Sequence, residues 1–125
     1  EGIWKMLNQE ECNPNFEKPK DYVIASGETH TIREFLEKAL THAGVPFKRN
    51  STEIDGQKIE YFNPETGDPI VCINPKYFRP AEVKLLLGNP QAIENDLKWE
   101  RKVSFDDLVK RMIDKDLELV QNFDR

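Results

Sequence analysis

The 125-residue sequence has no glycine-rich phosphate loop of the GxGxxG or GxxxxGK type, no GxSxG elbow and no HExxH pair. Those absences remove the usual signatures of dinucleotide binding, P-loop phosphate binding, serine-nucleophile hydrolysis and zinc proteolysis. Cysteine is scarce. Cys12 and Cys72 show no CxxC spacing, and with His30 and His42 they make no recognisable metal set. A reducing, cytoplasmic setting follows as the expectation, with Cys72 as a small core residue in an apolar strand pattern. Nor does any apolar run approach the roughly 20 residues that span a bilayer, and the start lacks the basic-then-apolar layout of a signal peptide. The chain therefore reads as soluble, with no membrane partner. Its formal charge of -5, from 18 basic and 23 acidic residues without long runs of one sign, argues against nucleic acid as a partner.

What is present fits one domain over residues 1–125, too few for two ordinary ones. Glu1 to Leu7 predicts a helix with Ile3, Met6 and Leu7 on one face and Trp4 beside it. It opens without an N-cap residue, which implies a piece of something larger. Asn8 to Lys20, polar and carrying Pro14 and Pro19, predicts a loop. Tyr22-Val23-Ile24-Ala25 is an apolar run without alternation, as in a strand buried on both faces of a parallel sheet. The sequence offers it no parallel neighbours, a second sign of an absent partner domain.

Thr31 to Ala43 predicts a helix. Thr31 and Glu34 form a capping box, Ile32, Phe35, Leu36, Ala39, Leu40 and Ala43 a stripe, and Gly44 with Pro46 a stop. His30 and His42 flank it as surface or capping residues. Val45 to Phe47 predicts a short strand, and Lys48 to Gln57 a polar connection with a turn at Asp55-Gly56. Ile59 to Phe62 and Ile70 to Ile73 are expected to pair in a small sheet. Pro80 to Leu87 predicts a short helix ended by Gly88. Asn89 then caps another that opens with Pro90 and turns Ala92, Ile93 and Leu97 inward, with Trp99 packed after it. Ser104 and Asp107 open a long amphipathic helix bearing Phe105, Leu108, Val109, Met112, Ile113, Leu117 and Val120. The fold class is α+β, mostly helical with a few short strands.

Chemistry concentrates in Lys76 to Val83. An arginine before a proline-opened helix can meet an anion at the unpaired first N–H groups, where the macrodipole is positive. Arg79 can donate a bidentate pair to phosphate oxygens, Lys76 can add a point charge, and Glu82 can accept from vicinal ribose hydroxyls. On the residues alone, an anion-and-sugar site and a merely capped, solvated helix start stand level. Ser26-Gly27-Glu28 is the other place where a ligand can approach the backbone, because ligands bind at strand C-termini in open sheets. Glu28 reads first as a solvent-exposed carboxylate and second as a ligand contact. No catalytic residue, cofactor-binding residue or metal ligand is assigned.

The succession from Tyr22 through Glu28, His30-Thr31-Ile32-Arg33-Glu34-Phe35, Lys76-Tyr77-Phe78-Arg79-Pro80-Ala81-Glu82-Val83, Leu87-Gly88-Asn89, Leu97-Lys98-Trp99 and Phe105-Asp106-Asp107-Leu108-Val109 resembles the C-terminal part of the GDP-mannose 4,6-dehydratase family. That family belongs to the extended short-chain dehydrogenase/reductase superfamily. The resemblance covers nearly the whole chain, and the RPAEV stretch is its most specific part. It implies an α/β parent whose N-terminal Rossmann domain binds NADP and whose C-terminal domain binds GDP-mannose. The sugar is oxidised at C4, water is eliminated across C5 and C6, and the hydride returns to C6. The product, GDP-4-keto-6-deoxymannose, leads to GDP-fucose and related deoxysugars.

The family's Tyr-xxx-Lys pair, Ser/Thr and Glu are not matched in these residues, so the resemblance implies a substrate-binding portion of a lyase, inactive and free of cofactor alone, from a homo-oligomeric parent. It makes Arg79 the arginine that holds the pyrophosphate and Glu82 the acid on the ribose. Ser26 to Glu28 become the turn after the last strand joining the Rossmann sheet. Two departures stand out: the loop from Asn8 to Lys20 is long, and Gln91-Ala92-Ile93 replaces a usual Lys-Ala pair. The alternatives are a non-catalytic nucleotide-sugar module, or part of an epimerase or reductase of the same superfamily.

Overall fold

The computed structural model describes residues 1–54, 57–77, 79–81, 83 and 85–123. The chain divides into two units, one from Glu1–His30 and Val83–Ser104, the other from Thr31–Glu82 and Phe105–Arg125.

In the first unit the opening residues form α1 (Gly2–Leu7). Of its apolar residues only Met6 reaches the core, while Ile3, Trp4 and Leu7 stay exposed. The stretch expected to be a loop starts with a further helical turn, α2 (Gln9–Cys12). It forms because the Asn8 carbonyl accepts from the N–H groups of Glu11 and Cys12, both at 3.2 Å, until Pro14 prevents continuation. Gln9 is buried and bridges the rest of the loop. Its Nε2 donates to the carbonyls of Met6 (3.0 Å) and Lys20 (2.8 Å), and its Oε1 accepts from the Lys20 N–H at 2.9 Å. A buried amide satisfied on both sides in this way ties residue 9 to residue 20.

After α3 (Ile32–His42), which belongs to the second unit, the third helix of the first unit is α4 (Gln91–Leu97). Asn89 Oδ1 accepts from the Gln91 N–H at 3.0 Å, the bond expected of a cap, while the helix boundary falls one residue later than expected, at Pro90. The helix ends at Lys98 with φ 50, and Lys5 Nζ donates to the carbonyls of Leu97 (2.9 Å) and Lys98 (2.8 Å). Ile93 and Leu97 are buried with Tyr22, and Trp99 packs against them as expected; Ala92 is exposed rather than inward. The Tyr22 hydroxyl donates to Asp96 Oδ2 at 3.0 Å.

Two expectations fail here. The run Tyr22 to Ala25 joins no sheet among the described residues, and Val23 and Ile24 are exposed, because a strand needs a ladder neighbour and these residues offer none. It lies instead against Gly88, where an added Cβ would stand 2.5 Å from Ala25 Cβ, so only glycine fits. The helix expected over Pro80 to Leu87 is absent from the described residues of that stretch. Leu85, Leu86 and Leu87 are exposed, and a helix of two turns with no buried face is unstable in water.

The second unit sets α3 and α5 (Phe105–Phe123) with a three-stranded antiparallel sheet in the order β1 (Lys48–Ile54), β2 (Gln57–Phe62), β3 (Pro69–Ile73). Thr31 Oγ1 accepts from the Glu34 N–H at 3.0 Å, and Gly44 leaves the helix at φ 70, both as expected. β2 and β3 pair as predicted. The polar stretch expected to connect is instead strand β1, and Val45 to Phe47 is not a strand. Its backbone pairs with β2 from Lys48↔Phe62 to Ile54↔Gln57, and an edge strand with polar side chains is how sheets guard an open edge. The Asp55-Gly56 turn lies outside the described residues. Ile59, Tyr61, Ala39 and Val109 form the buried core; Phe35 meets Phe105 at 6.4 Å and Phe47 meets Tyr61 at 5.8 Å between ring centroids. Cys72 is exposed, correcting its expected core place, because β3 is an edge strand. Of the α5 stripe, Val109 is buried while Leu108, Met112, Leu117 and Val120 stay exposed.

Candidate functional site

The residues singled out by sequence fall on both units. Ser26, Gly27 and Glu28 belong to the first; Lys76 and Arg79 belong to the second, and Glu82 lies outside the described residues.

In the first unit, Gly27 takes φ 72, a left-handed conformation that favours glycine, and Pro90 Cδ lies 3.6 Å from where its Cβ would be. The Glu28 N–H donates to Ser26 Oγ at 3.2 Å, a local turn that presents the Glu28 side chain. Its carboxylate is already engaged. Arg101 grips it with Nη1 to Oε2 and Nη2 to Oε1, both 2.6 Å, and His30 Nε2 stands 3.5 Å from Oε2. The Arg101 fork, more than any other influence, holds the Glu28 carboxyl below the usual carboxylate range. Glu28 thus stays charged at neutral pH, with lone pairs left to accept hydroxyls. Ser26 and Arg101 line one cavity of about 450 Å³ with Glu94, Lys98, Trp99 and Glu100. Arg101 is the residue that sequence reasoning missed. Its neighbours on the chain give no sign that it reaches back 73 positions to Glu28.

In the second unit, β3 runs into a single 3-10 turn, Pro75–Tyr77, held by Asn74: its Oδ1 accepts from the Lys76 N–H at 2.9 Å and its carbonyl from the Tyr77 N–H at 3.1 Å. Lys76 and Arg79 are exposed, and neither side chain has a hydrogen-bond or ion-pair partner among the described residues. Their charges are therefore open to an anion. The helix start that was to assist them is not present in the described residues, so Arg79 would act through its own guanidinium.

A larger cavity of about 630 Å³ opens between α3 and α5, lined by residues such as Glu37, Thr41, His42, Phe47 and Val109. No sequence-predicted site residue lines it. The buried Tyr61 hydroxyl donates to Glu37 Oε1 at 2.6 Å, and His42 Nε2 lies 2.7 Å from Asp114 Oδ1. Burial first, and then the bond to Glu37, raise the Tyr61 hydroxyl above its ordinary pKa. Among the described residues no group of His, Cys, Asp and Glu side chains is placed to hold a metal ion, and no helix is long and apolar enough to cross a membrane.

Known proteins give this arrangement a context. A family model described as GDP-mannose 4,6 dehydratase matches residues 1–112. The chain is 43% identical to the GDP-mannose 4,6 dehydratase of Dictyostelium discoideum over 125 residues, covering 100% of the chain and 32% of that protein. It is 41% identical to the Drosophila melanogaster protein of that name, covering 97% and 28%, and 37% identical to that of Homo sapiens, covering 97% and 30%. The chain thus spans about a third of the length of these relatives. A family match over most of the residues, with relatives aligned along nearly the whole chain, shows that it belongs to the GDP-mannose 4,6-dehydratase family.

Proposed function

We propose that these residues supply the GDP-mannose-binding part of a GDP-mannose 4,6-dehydratase, a lyase that forms GDP-4-keto-6-deoxymannose. The observation that carries the reading is the family match over residues 1–112. Two structural features support it. Arg79 and Lys76 offer cations without a partner among the described residues, suited to a diphosphate, and Glu28 offers a charged, oriented acceptor suited to hydroxyls. Glu82 is proposed for the ribose on the resemblance alone.

NADP chemistry belongs to residues other than these. The chain contains neither a glycine-rich loop nor a Tyr-xxx-Lys pair, so its residues do not fit the cofactor and no step is assigned to them. The exposed apolar run at Val23 and Ile24, which lacks a ladder among the described residues, is proposed to complete the sheet of a Rossmann domain in the longer, cytoplasmic, homo-oligomeric enzyme. By itself the chain is expected to bind no NADP and to turn over no GDP-mannose.

The test is Arg79→Ala in the enzyme that contains this segment. Loss of a charge-assisted phosphate contact should weaken GDP-mannose binding by about tenfold or more while NADP binding is unchanged. Unaltered affinity for GDP-mannose removes Arg79 from the site.

A further inference from the structure

We propose that Arg33, Arg49 and Lys58, gathered around Glu60 in the second unit, form a receptor for a phosphate dianion. The inference goes beyond the GDP-mannose reading and uses none of its residues.

It begins with a fault in the sheet. The β1 register passes from Arg49↔Tyr61 to Thr52↔Ile59, and the β3 register from Ile59↔Cys72 to Tyr61↔Val71. Both ladders skip Glu60, and bulges of this kind re-aim a side chain. The Glu60 side chain is only 6% exposed, yet three cations converge on it. Lys58 Nζ lies 2.8 Å from Oε1; Arg33 Nη2 and Arg49 Nε each lie 3.6 Å from Oε2. Three positive charges meet the Glu60 carboxylate, and with the neighbouring Glu37 carboxylate on the Tyr61 hydroxyl counted the group keeps a surplus of one, on a chain whose total is -5.

Neutralising Glu60 accounts for only one of those cations, and Lys58 already makes a hydrogen-bonded pair with it. The two arginines sit beyond hydrogen-bonding distance from the carboxylate and have no other hydrogen-bond or ion-pair partner among the described residues. Both side chains are half-exposed, so two guanidinium groups stand near one carboxylate with donors open to solvent. That is the condition for bidentate recognition of a phosphate. Arg33 also stands in the first turn of α3, where the helix dipole disfavours a cation. An anion docked there offsets the guanidinium and the helix end together.

The 125-residue chain is titrated with inorganic phosphate, pyrophosphate and GMP at fixed ionic strength, following the arginine Nε–H and backbone amide signals by two-dimensional NMR. Saturable shifts are expected at Arg33 and Arg49. Arg33→Gln and Arg49→Gln should each weaken binding by about tenfold. Arg49→Lys, which keeps the charge and loses the fork, should recover part of that loss with the amide spectrum intact. Arg79→Ala should leave the shifts at Arg33 and Arg49 unchanged, whatever it does to anion binding at residue 79 itself. GMP matching inorganic phosphate identifies the free anion as the ligand, and tighter GMP binding identifies a nucleotide phosphate; either keeps the site. Shifts that chloride reproduces overturn the proposal. So do shifts around Glu60 that survive both Arg→Gln changes, or shifts at Arg33 and Arg49 that are lost in Arg79→Ala.

Discussion

The two units reach stability by different means. The second builds a conventional interior, with α3 and α5 meeting through Phe35 and Phe105 and a sheet burying Ile59 and Tyr61. The first has few buried apolar side chains, chiefly Tyr22, Ile93 and Leu97, and is tied by polar links between chain segments far apart in sequence. Lys5 caps α4, Tyr22 and Lys20 meet Asp96, Lys102 pairs with Glu1, and Arg101 grips Glu28. The contrast teaches that a unit whose ends lie distant in sequence can be assembled by side chains bonding backbone and carboxylate groups when its apolar residues are left exposed. Ile3, Leu7, Val23 and Leu86 are such residues, and because the second unit also exposes Leu108, Met112 and Val120, both units present apolar side chains to further partners.

The comparison is sharpest where a small core is cut. Leu97→Ala should destabilise the first unit by about 2 to 5 kcal/mol, because Leu97 is buried and a cavity would remain. Both tryptophans, Trp4 and Trp99, belong to this unit, so their fluorescence in urea reads its unfolding, while helical circular dichroism is dominated by α3 and α5. The fluorescence midpoint should fall with the dichroism midpoint unmoved. Equal movement of both would dissolve the distinction between the units.

A smaller effect is expected from Gly88→Ala. The new Cβ would stand 2.5 Å from Ala25 Cβ, and accommodating it should cost about 1 to 3 kcal/mol on the same fluorescence transition. A neutral result means that residues 22 to 25 can move away freely and are not held by the 83–88 segment.

The smallest effect concerns pH. The hydrogen bond from Lys20, and next that from the Tyr22 hydroxyl, hold the Asp96 carboxyl below its ordinary value. Its folded pKa is depressed, so its contribution is present above the unfolded value near about 4 and is lost as pH falls through the folded one. Asp96→Asn should therefore lower the first unit's stability at pH 7, where the carboxylate's contribution is present, and flatten its fall-off below about pH 4 as read by fluorescence. An unchanged acid limb in the variant would assign acid sensitivity to other carboxylates, Glu28 among them.

Legibility followed the range of the interactions. The Thr31 cap with Glu34, the Asn89 cap of α4 and the pairing of β2 with β3 depend on near neighbours and were readable from spacing. The strand β1 was not, because its residues are polar and only pairing to β2 makes them a strand. The helix expected after Arg79 failed for the opposite reason: its periodicity was adequate, but Leu85 to Leu87 found no surface to cover. At the candidate site Ser26, Gly27 and Glu28 were legible as a turn; Arg101 was not, since its partner lies 73 residues away.

Family membership, the helical caps, the glycines at the turns and the types of charged group available for binding all follow from residue identity and short spacing. Only the tertiary structure decided that Glu28 is held by Arg101, that Glu60 gathers Arg33, Arg49 and Lys58, and that Tyr22 to Ala25 stays outside the sheet. Each depends on segments brought together by folding, where burial and distance set which charges meet.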